Sequence, residues 1–297
     1  MPPLTPGEAE AADTLIGLAL AEDLGGSIDL TAEATIPADA LGGARFVSRE
    51  AGIVSGLPVV ARLAERCGLG NGFVSLVVDG TTVEPGTTIA RVSGPMRAIL
   101  GFERTALNIL QHLSGIATLT GRFVEEVAGT PGVVLDTRKT LPGWRLLEKY
   151  AVRCGGGKNH RMGLHDAVLI KDNHLAWLAR EADPIGVAVA RARASSPEGT
   201  VVEVEVDTFD QLHRALACTP EIVLVDNFGP DSLREAVRLR DEVAPEVLLE
   251  ASGGVNLDTV RALAETGVDR ISVGALTHSA RALDIGLDFE TDETLPR

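Results

Sequence analysis

A chain of 297 residues with 45% hydrophobic residues is long enough for one large or two ordinary domains with buried cores, and no apolar run approaches the roughly 18 residues of a membrane span. A formal charge of −15 speaks against a nucleic-acid or membrane face, and three widely spaced cysteines (Cys67, Cys154, Cys218) without a CxxC pair speak against a disulfide framework or structural zinc. The amino terminus, MPPLTPGEAEAAD, lacks the basic and apolar regions of a signal peptide, so a cytoplasmic protein is expected.

Residues 13–24, DTLIGLALAEDL, place apolar side chains at helical spacing and end at Gly25-Gly26. Residues 27–37 are turn-rich, 43–58 read as strand and turn, and 73–92 as short strands parted by Asp79-Gly80 and Glu84-Pro85-Gly86. The longest helical stretch covers 97–127, and Ser114-Gly115 within it predicts a kink or two helices. Beyond it, strand-like runs at 133–136, 167–170, 201–206, 222–226, 247–250 and 270–273 alternate with helical segments near 185–194, 208–217, 230–243 and 256–266. Repeated βα units predict a parallel sheet covered by helices, and six or seven of them would close, or nearly close, an α/β barrel. An open doubly wound sheet is the alternative, although no GxGxxG follows any of these strands. The acidic tail 286–297 has one strand-like run, Leu287-Asp288-Phe289, expected to return to the first domain.

The stretch 133–174, VVLDTRKTLPGWRLLEKYAVRCGGGKNHRMGLHDAVLIKDNH, carries eight Lys or Arg and three of the six His against four acidic residues. A cationic cluster inside an acidic protein points to a pocket for a small polyanion. Two apolar runs in it end in charged groups, Asp136-Thr137-Arg138-Lys139 and Lys171-Asp172-Asn173-His174, as parallel strands end at a site. Arg138, Lys139, His160, Arg161 and Lys171, around a flexible Gly155-Gly156-Gly157, offer forked guanidiniums and point-charge ammoniums to a ligand bearing two carboxylates. Any one of them alone would read as a solvated surface group.

Glu205 and Asp226 end successive strands and can face one barrel mouth, where carboxylates suit Mg²⁺ or stabilise a developing cation. Glu203 shares a face with Glu205, which is preferred because it lies nearer the C-terminal end. An ordinary charged layer inside a barrel is the plainer alternative. Ser252, Gly253 and Gly254, and then Gly274, Ala275 and Leu276, follow the last two strands, where βα turns bind phosphate.

The segments FERTALNILQHLSGIAT, the whole of 136–174, VEVEV, LVDNF, EASGGV and ISVGALTH resemble quinolinate phosphoribosyltransferases, the carboxylating nicotinate-nucleotide pyrophosphorylases, over most of residues 15–285. The resemblance implies transfer of phosphoribosyl from phosphoribosyl pyrophosphate to quinolinate with loss of CO₂, using Mg²⁺, in NAD biosynthesis. It implies an N-terminal α/β sandwich domain over 1–110, rejoined by 280–297, and an incomplete, six- or seven-stranded α/β barrel over 111–279. It further implies a homodimer in which Arg104 enters the partner's site. Carried over by position, Arg104, Arg138, His160, Arg161 and Lys171 are expected to bind quinolinate. Lys139 and Lys171 are expected near the reacting groups, and Glu205 and Asp226 near ribose and metal. Ser252, Gly253, Gly254, Gly274, Ala275 and His278 are expected around the phosphate. The segment 22–31 departs from the family's usual EDxGxGDxT, which predicts a different local loop shape. Rival expectations are transfer to a mono-acid such as nicotinate, the relatives of this fold linked to molybdenum transport, and a barrel that only binds an anionic metabolite.

Overall fold

The structure, a computed structural model, describes residues 4–26 and 28–290. It divides into two compact units, one of Met1–Gly121, Thr140–Gly156 and Ser279–Arg297, the other of Arg122–Lys139 and Gly157–His278. The expected boundary at 110 therefore shifts in two places. The helix Met96–Glu126 carries the first unit on to Gly121, and the helix Arg145–Cys154, which packs against Pro6–Leu24, returns 140–156 to that unit.

In the first unit, Thr5 and Glu8 form a capping box ahead of Pro6, so the helix Pro6–Leu24 begins a full two turns before its apolar spacing becomes regular. Left-handed Gly25 ends it. Asp29 then accepts from the Thr31 and Ala32 amides to start the short helix Leu30–Thr35, in a segment that reads as turn; Ser27 lies outside the described residues. The helix Leu57–Arg66 carries no cap in its local sequence. Its first amides, those of Gly56 and Leu57, donate to the distant, buried carboxylate of Asp79 at 2.7 and 3.1 Å, and the Tyr150 hydroxyl donates to the same group.

A four-stranded antiparallel sheet runs in the order Ile285–Phe289, Leu41–Ser48, Thr88–Pro95, Phe73–Ser75, beside a two-stranded pair of Gly52–Ile53 and Thr82–Val83. The strand-like run near 287 thus pairs in the first unit, while 291–297 lie outside the described residues. Phe46 and Phe73 from this sheet meet Phe102 of the long helix edge to face, with ring centroids 6.0–6.3 Å apart.

Ser114-Gly115 does not break that helix, which runs unbroken from Met96 to Glu126. The Ser114 hydroxyl accepts from the Ser55 amide and donates to the Ser55 carbonyl. A Cβ on Gly115 would lie 2.2 Å from the carbonyl oxygen of Arg281. The glycine permits backbone to approach helix; it is not a hinge. Gly115→Ala is expected to destabilise the protein by about 1–3 kcal/mol in denaturant unfolding. Gly101→Ala in the same helix, where a Cβ meets nothing within 4 Å, is expected to leave stability unchanged or raise it.

The second unit holds six parallel strands in the order Val133–Leu135, Arg270–Ser272, Leu248–Ser252, Ile222–Asp226, Val202–Val206, Val168–Ile170. Apart from the first, the sequence order runs steadily across the sheet with no reversal, which is barrel winding; a doubly wound sheet reverses at a switch point. The two outermost strands do not pair with each other among the described residues, so the barrel is incomplete. Apolar faces such as Leu212, Ala215 and Leu216 of Phe209–Ala217, and Leu233 and Ala236 of Pro230–Val243, are buried. The three cysteines are free thiols, and no described helix is long and apolar enough to cross a membrane.

Candidate active site

The carboxyl ends of the six strands and the turns after them surround one cavity of about 710 Å³. Counting the strands in chain order, Thr137, Arg138 and Lys139 follow the first strand, Lys171 the second, Glu205 and Asp226 stand at the ends of the third and fourth, and Ser252 ends the fifth. Gly253 and Gly254 continue from it, and Gly274, Ala275 and His278 follow the sixth. His160 and Arg161 complete the wall. Every residue that the family resemblance assigns to the site lines this cavity except Arg104, which is exposed on the long helix of the first unit; Leu276 and Glu203, also weighed from the sequence, are buried and do not line it.

Asp136, fully buried at the end of Val133–Leu135, organises the basic side. Its Oδ1 accepts from the His160 amide at 2.9 Å and its Oδ2 from Asn159 Nδ2, while Lys158 adds a parallel backbone bridge to Leu135. The expectation that Gly155-Gly156-Gly157 would sit among the cations is corrected. None of the three lines the cavity, and a Cβ on Gly155 would lie 2.3 Å from the Ala117 carbonyl oxygen, so that glycine answers to packing in the first unit. Burial and the neighbouring Arg138 both lower the pKa of Arg161, and Glu203 and Asp166 only partly oppose them. A guanidinium whose charge is disfavoured by burial and by a neighbouring guanidinium is one that an anion would stabilise. Lys171 Nζ pairs with Glu205 Oε2.

The acidic and glycine sides are joined through Asn227. Its Nδ2 donates to Asp226 Oδ2 at 2.6 Å and its amide to the Ser252 carbonyl at 2.9 Å. Asn227 and Gly253 both take positive φ, +59° and +94°, and a Cβ on Gly253 would lie 2.2 Å from Asn227 Oδ1. Gly274 is crossed by Lys139 and His278, and the Thr277 hydroxyl donates to the Lys139 carbonyl. Gly253 and Gly274 thus admit neighbouring side chains as well as any ligand.

Sequence reasoning passed over Glu250 and set Glu203 second. Both are buried, and His160 Nε2 lies 3.1 Å from Glu203 Oε2 and 3.4 Å from Glu250 Oε1. Arg270 Nε donates to Glu250 Oε2 at 2.7 Å. Burial would lower the His160 pKa, but the hydrogen bonds to Glu203 and Glu250 outweigh it and push it up to about 9. Burial raises the Glu203 pKa against the His160 hydrogen bond, with Glu250 adding to the rise. In Glu250 the rise from burial is overcome by His160 and Arg270. The signal was legible in part: Glu250 alternates with Ser252 as Glu203 does with Glu205, and Glu205, Leu224 and Glu250 are in register across three strands.

Two family models match this chain, "Quinolinate phosphoribosyl transferase, N-terminal domain" over residues 29–114 and "Quinolinate phosphoribosyl transferase, C-terminal domain" over 116–288. The nicotinate-nucleotide pyrophosphorylase [carboxylating] of Mycobacterium leprae is 46% identical over 284 residues, 95% of this chain and 98% of that one. A quinolinate phosphoribosyltransferase [decarboxylating] of Nicotiana tabacum is 38% identical over 95% of this chain and 83% of its own. Among solved structures, the nicotinate-nucleotide pyrophosphorylase of Francisella tularensis superposes with a TM-score of 0.86 at 38% identity, covering 95% of this chain and 96% of that one.

Proposed function

The chain belongs to the quinolinate phosphoribosyltransferase family, and from that membership we propose a division of labour among its cavity residues. The reaction transfers phosphoribosyl from phosphoribosyl pyrophosphate to quinolinate and removes a carboxyl group, giving nicotinate mononucleotide, CO₂ and pyrophosphate for NAD biosynthesis. The observation that carries the division is that cations, carboxylates and glycine turns all line one cavity, with Lys171 paired to Glu205 and Lys139 lying across Gly274.

Arg138, Arg161 and Lys171, with His160 beside them, receive the two carboxylates of quinolinate, guanidiniums giving forked pairs and the ammonium a point charge. Holding the ring nitrogen against the anomeric carbon removes much of the entropic barrier to bond formation. As the C–O bond to pyrophosphate breaks, positive charge grows on the ribose, and Glu205 and Asp226 stabilise it electrostatically. When the adjacent C–CO₂ bond then breaks, its electron pair stays on the ring carbon, stabilised by the positive charge of the new pyridinium nitrogen, and that carbon takes a proton from Lys139 or Lys171 in place of the carboxyl group. Ser252, Gly253, Gly254, Gly274, Ala275 and His278 hold the 5′-phosphate.

The donor set fits Mg²⁺. Glu205 Oε2 takes Lys171 and Asp226 Oδ2 takes Asn227, leaving Oε1 and Oδ1 as hard oxygens, while substrate oxygens complete the usual set around such an ion. When bound, the ion neutralises the departing pyrophosphate. The protein acts in the cytoplasm as a homodimer in which Arg104, exposed on its own chain, reaches the partner's quinolinate. Mixed dimers test this: Arg104→Ala and Lys171→Ala proteins, each inactive alone, should regain about a quarter of wild-type activity after random reassociation, because one of two sites in each mixed dimer is intact. No recovery would place Arg104 outside the partner's site.

Turnover of quinolinate with the phosphoribosyl donor, following CO₂ and nucleotide together, should require Mg²⁺ and stop with chelator. Turnover of nicotinate in its place would mean that the cations had been misread. Gly253→Ala is expected to displace Asn227 from Asp226 and raise the KM for phosphoribosyl pyrophosphate by about tenfold or more, with the KM for quinolinate little changed.

A further inference from the structure

His160 stands in the cavity wall, yet both of its ring nitrogens are engaged inside the protein. The Arg161 backbone N–H donates to Nδ1 at 2.7 Å. Nε2 faces Glu203 and Glu250, at 3.1 and 3.4 Å. A nitrogen that accepts a hydrogen bond carries no proton, so the neutral ring has its proton on Nε2, directed at the carboxylates. The carboxylates favour a proton there, and the Arg161 amide opposes a second one on Nδ1.

Two carboxylates, 1% and 0% exposed, converging on one imidazole are costly to bury, and Arg270 is the fixed cation that ties one of them down. Glu203 and Glu250 come from strands separated by Ile222–Asp226, so neither is needed to pair the other's strand. The same three side chains bring possible ligand atoms within 4.8 Å of one another, the spacing of a metal site. A metal-bound imidazole, however, donates the proton of its other nitrogen to an acceptor, and Nδ1 here accepts one instead.

We propose that Glu203 and Glu250, anchored by Arg270, are positioning residues for quinolinate, fixing His160 so that its Nδ1 holds the Arg161 amide and thereby the backbone from which the Arg161 guanidinium reaches a substrate carboxylate. The inference rests on the reading of Arg138, Arg161 and Lys171 as the quinolinate subsite. His160 then acts through Arg161 and makes no ring-nitrogen hydrogen bond to substrate.

The two isosteres of histidine separate its nitrogens. In the full chain, His160→Asn keeps an acceptor at the position of Nδ1, and His160→Gln keeps only a donor at the position of Nε2. The KM for quinolinate is expected to rise about threefold or less in the Asn variant and about tenfold or more in the Gln variant, with the KM for phosphoribosyl pyrophosphate unchanged in both. Glu203→Gln should also raise the KM for quinolinate. Nitrogen NMR of histidine-labelled wild-type protein, without substrate and at a pH above the His160 value of about 9, should show the neutral ring protonated on Nε2 alone. Equal losses in the two His160 variants, a proton on Nδ1, or stoichiometric zinc or manganese retained by the isolated protein would overturn the proposal. If Arg138→Ala and Arg161→Ala leave the KM for quinolinate unchanged while the NMR result holds, the subsite has been misplaced and the His160 clamp itself stands.

Discussion

Arg161→Ala is expected to lower kcat/KM for quinolinate by roughly a hundredfold or more, chiefly through KM, because truncating one partner of a close, half-desolvated charge pair costs about 2–5 kcal/mol. Arg161 is only partly exposed, lies beside Arg138, and has its pKa lowered by burial and by that neighbour. Such strain persists when a ligand relieves it. Removing the guanidinium should therefore leave the free protein at least as resistant to thermal unfolding as wild type while crippling substrate capture, the trade expected of a binding residue. Arg161→Lys should recover only part of the loss, since an ammonium cannot pair in the forked geometry. Steady-state kinetics with quinolinate varied at saturating phosphoribosyl pyrophosphate, beside a melting curve, check both halves.

Asp226→Asn is expected to lower kcat by about a hundredfold to a thousandfold, the scale seen when one preorganised electrostatic group is removed from a transition state. Asparagine keeps the shape and an oxygen that can still accept from Asn227 Nδ2, so the turn that carries Gly253 should survive. What is lost is the negative charge proposed to face the ribose as pyrophosphate departs. Equilibrium binding of quinolinate should change little, because the cations belong to other strand ends. A variant that lost quinolinate binding with unchanged kcat would place Asp226 among substrate ligands instead.

The barrel was the most legible part of the fold because its strands are short apolar runs ending in charge, and each such ending marks the same mouth. Arg138, Lys171, Glu205, Asp226 and Ser252 could be placed in one cavity from that rule alone. What escaped was set by contacts distant in sequence. The helix Leu57–Arg66 is capped by Asp79, more than twenty residues on. Gly115 reads as a helix break but is a point of close backbone approach to Arg281. Gly155 reads as part of a flexible ligand loop, yet Ala117 and Thr120 occupy the space of its missing side chain. Glu250 was passed over at the end of the strand-like run 247–250, because nothing local announces that His160 and Arg270 will converge on it. Arg104 stands apart for another reason: the site proposed for it belongs to a second copy of the chain.

A crystal structure of the protein with quinolinate bound tests most directly whether the basic sector of the barrel mouth reads both carboxylates. The two carboxylates are expected within hydrogen-bonding distance of Arg138, Arg161 and Lys171, with the ring nitrogen turned toward the side of Glu205 and Asp226. Quinolinate lying against the Gly253 and Gly274 turns, or bound with neither carboxylate on an arginine, would contradict it.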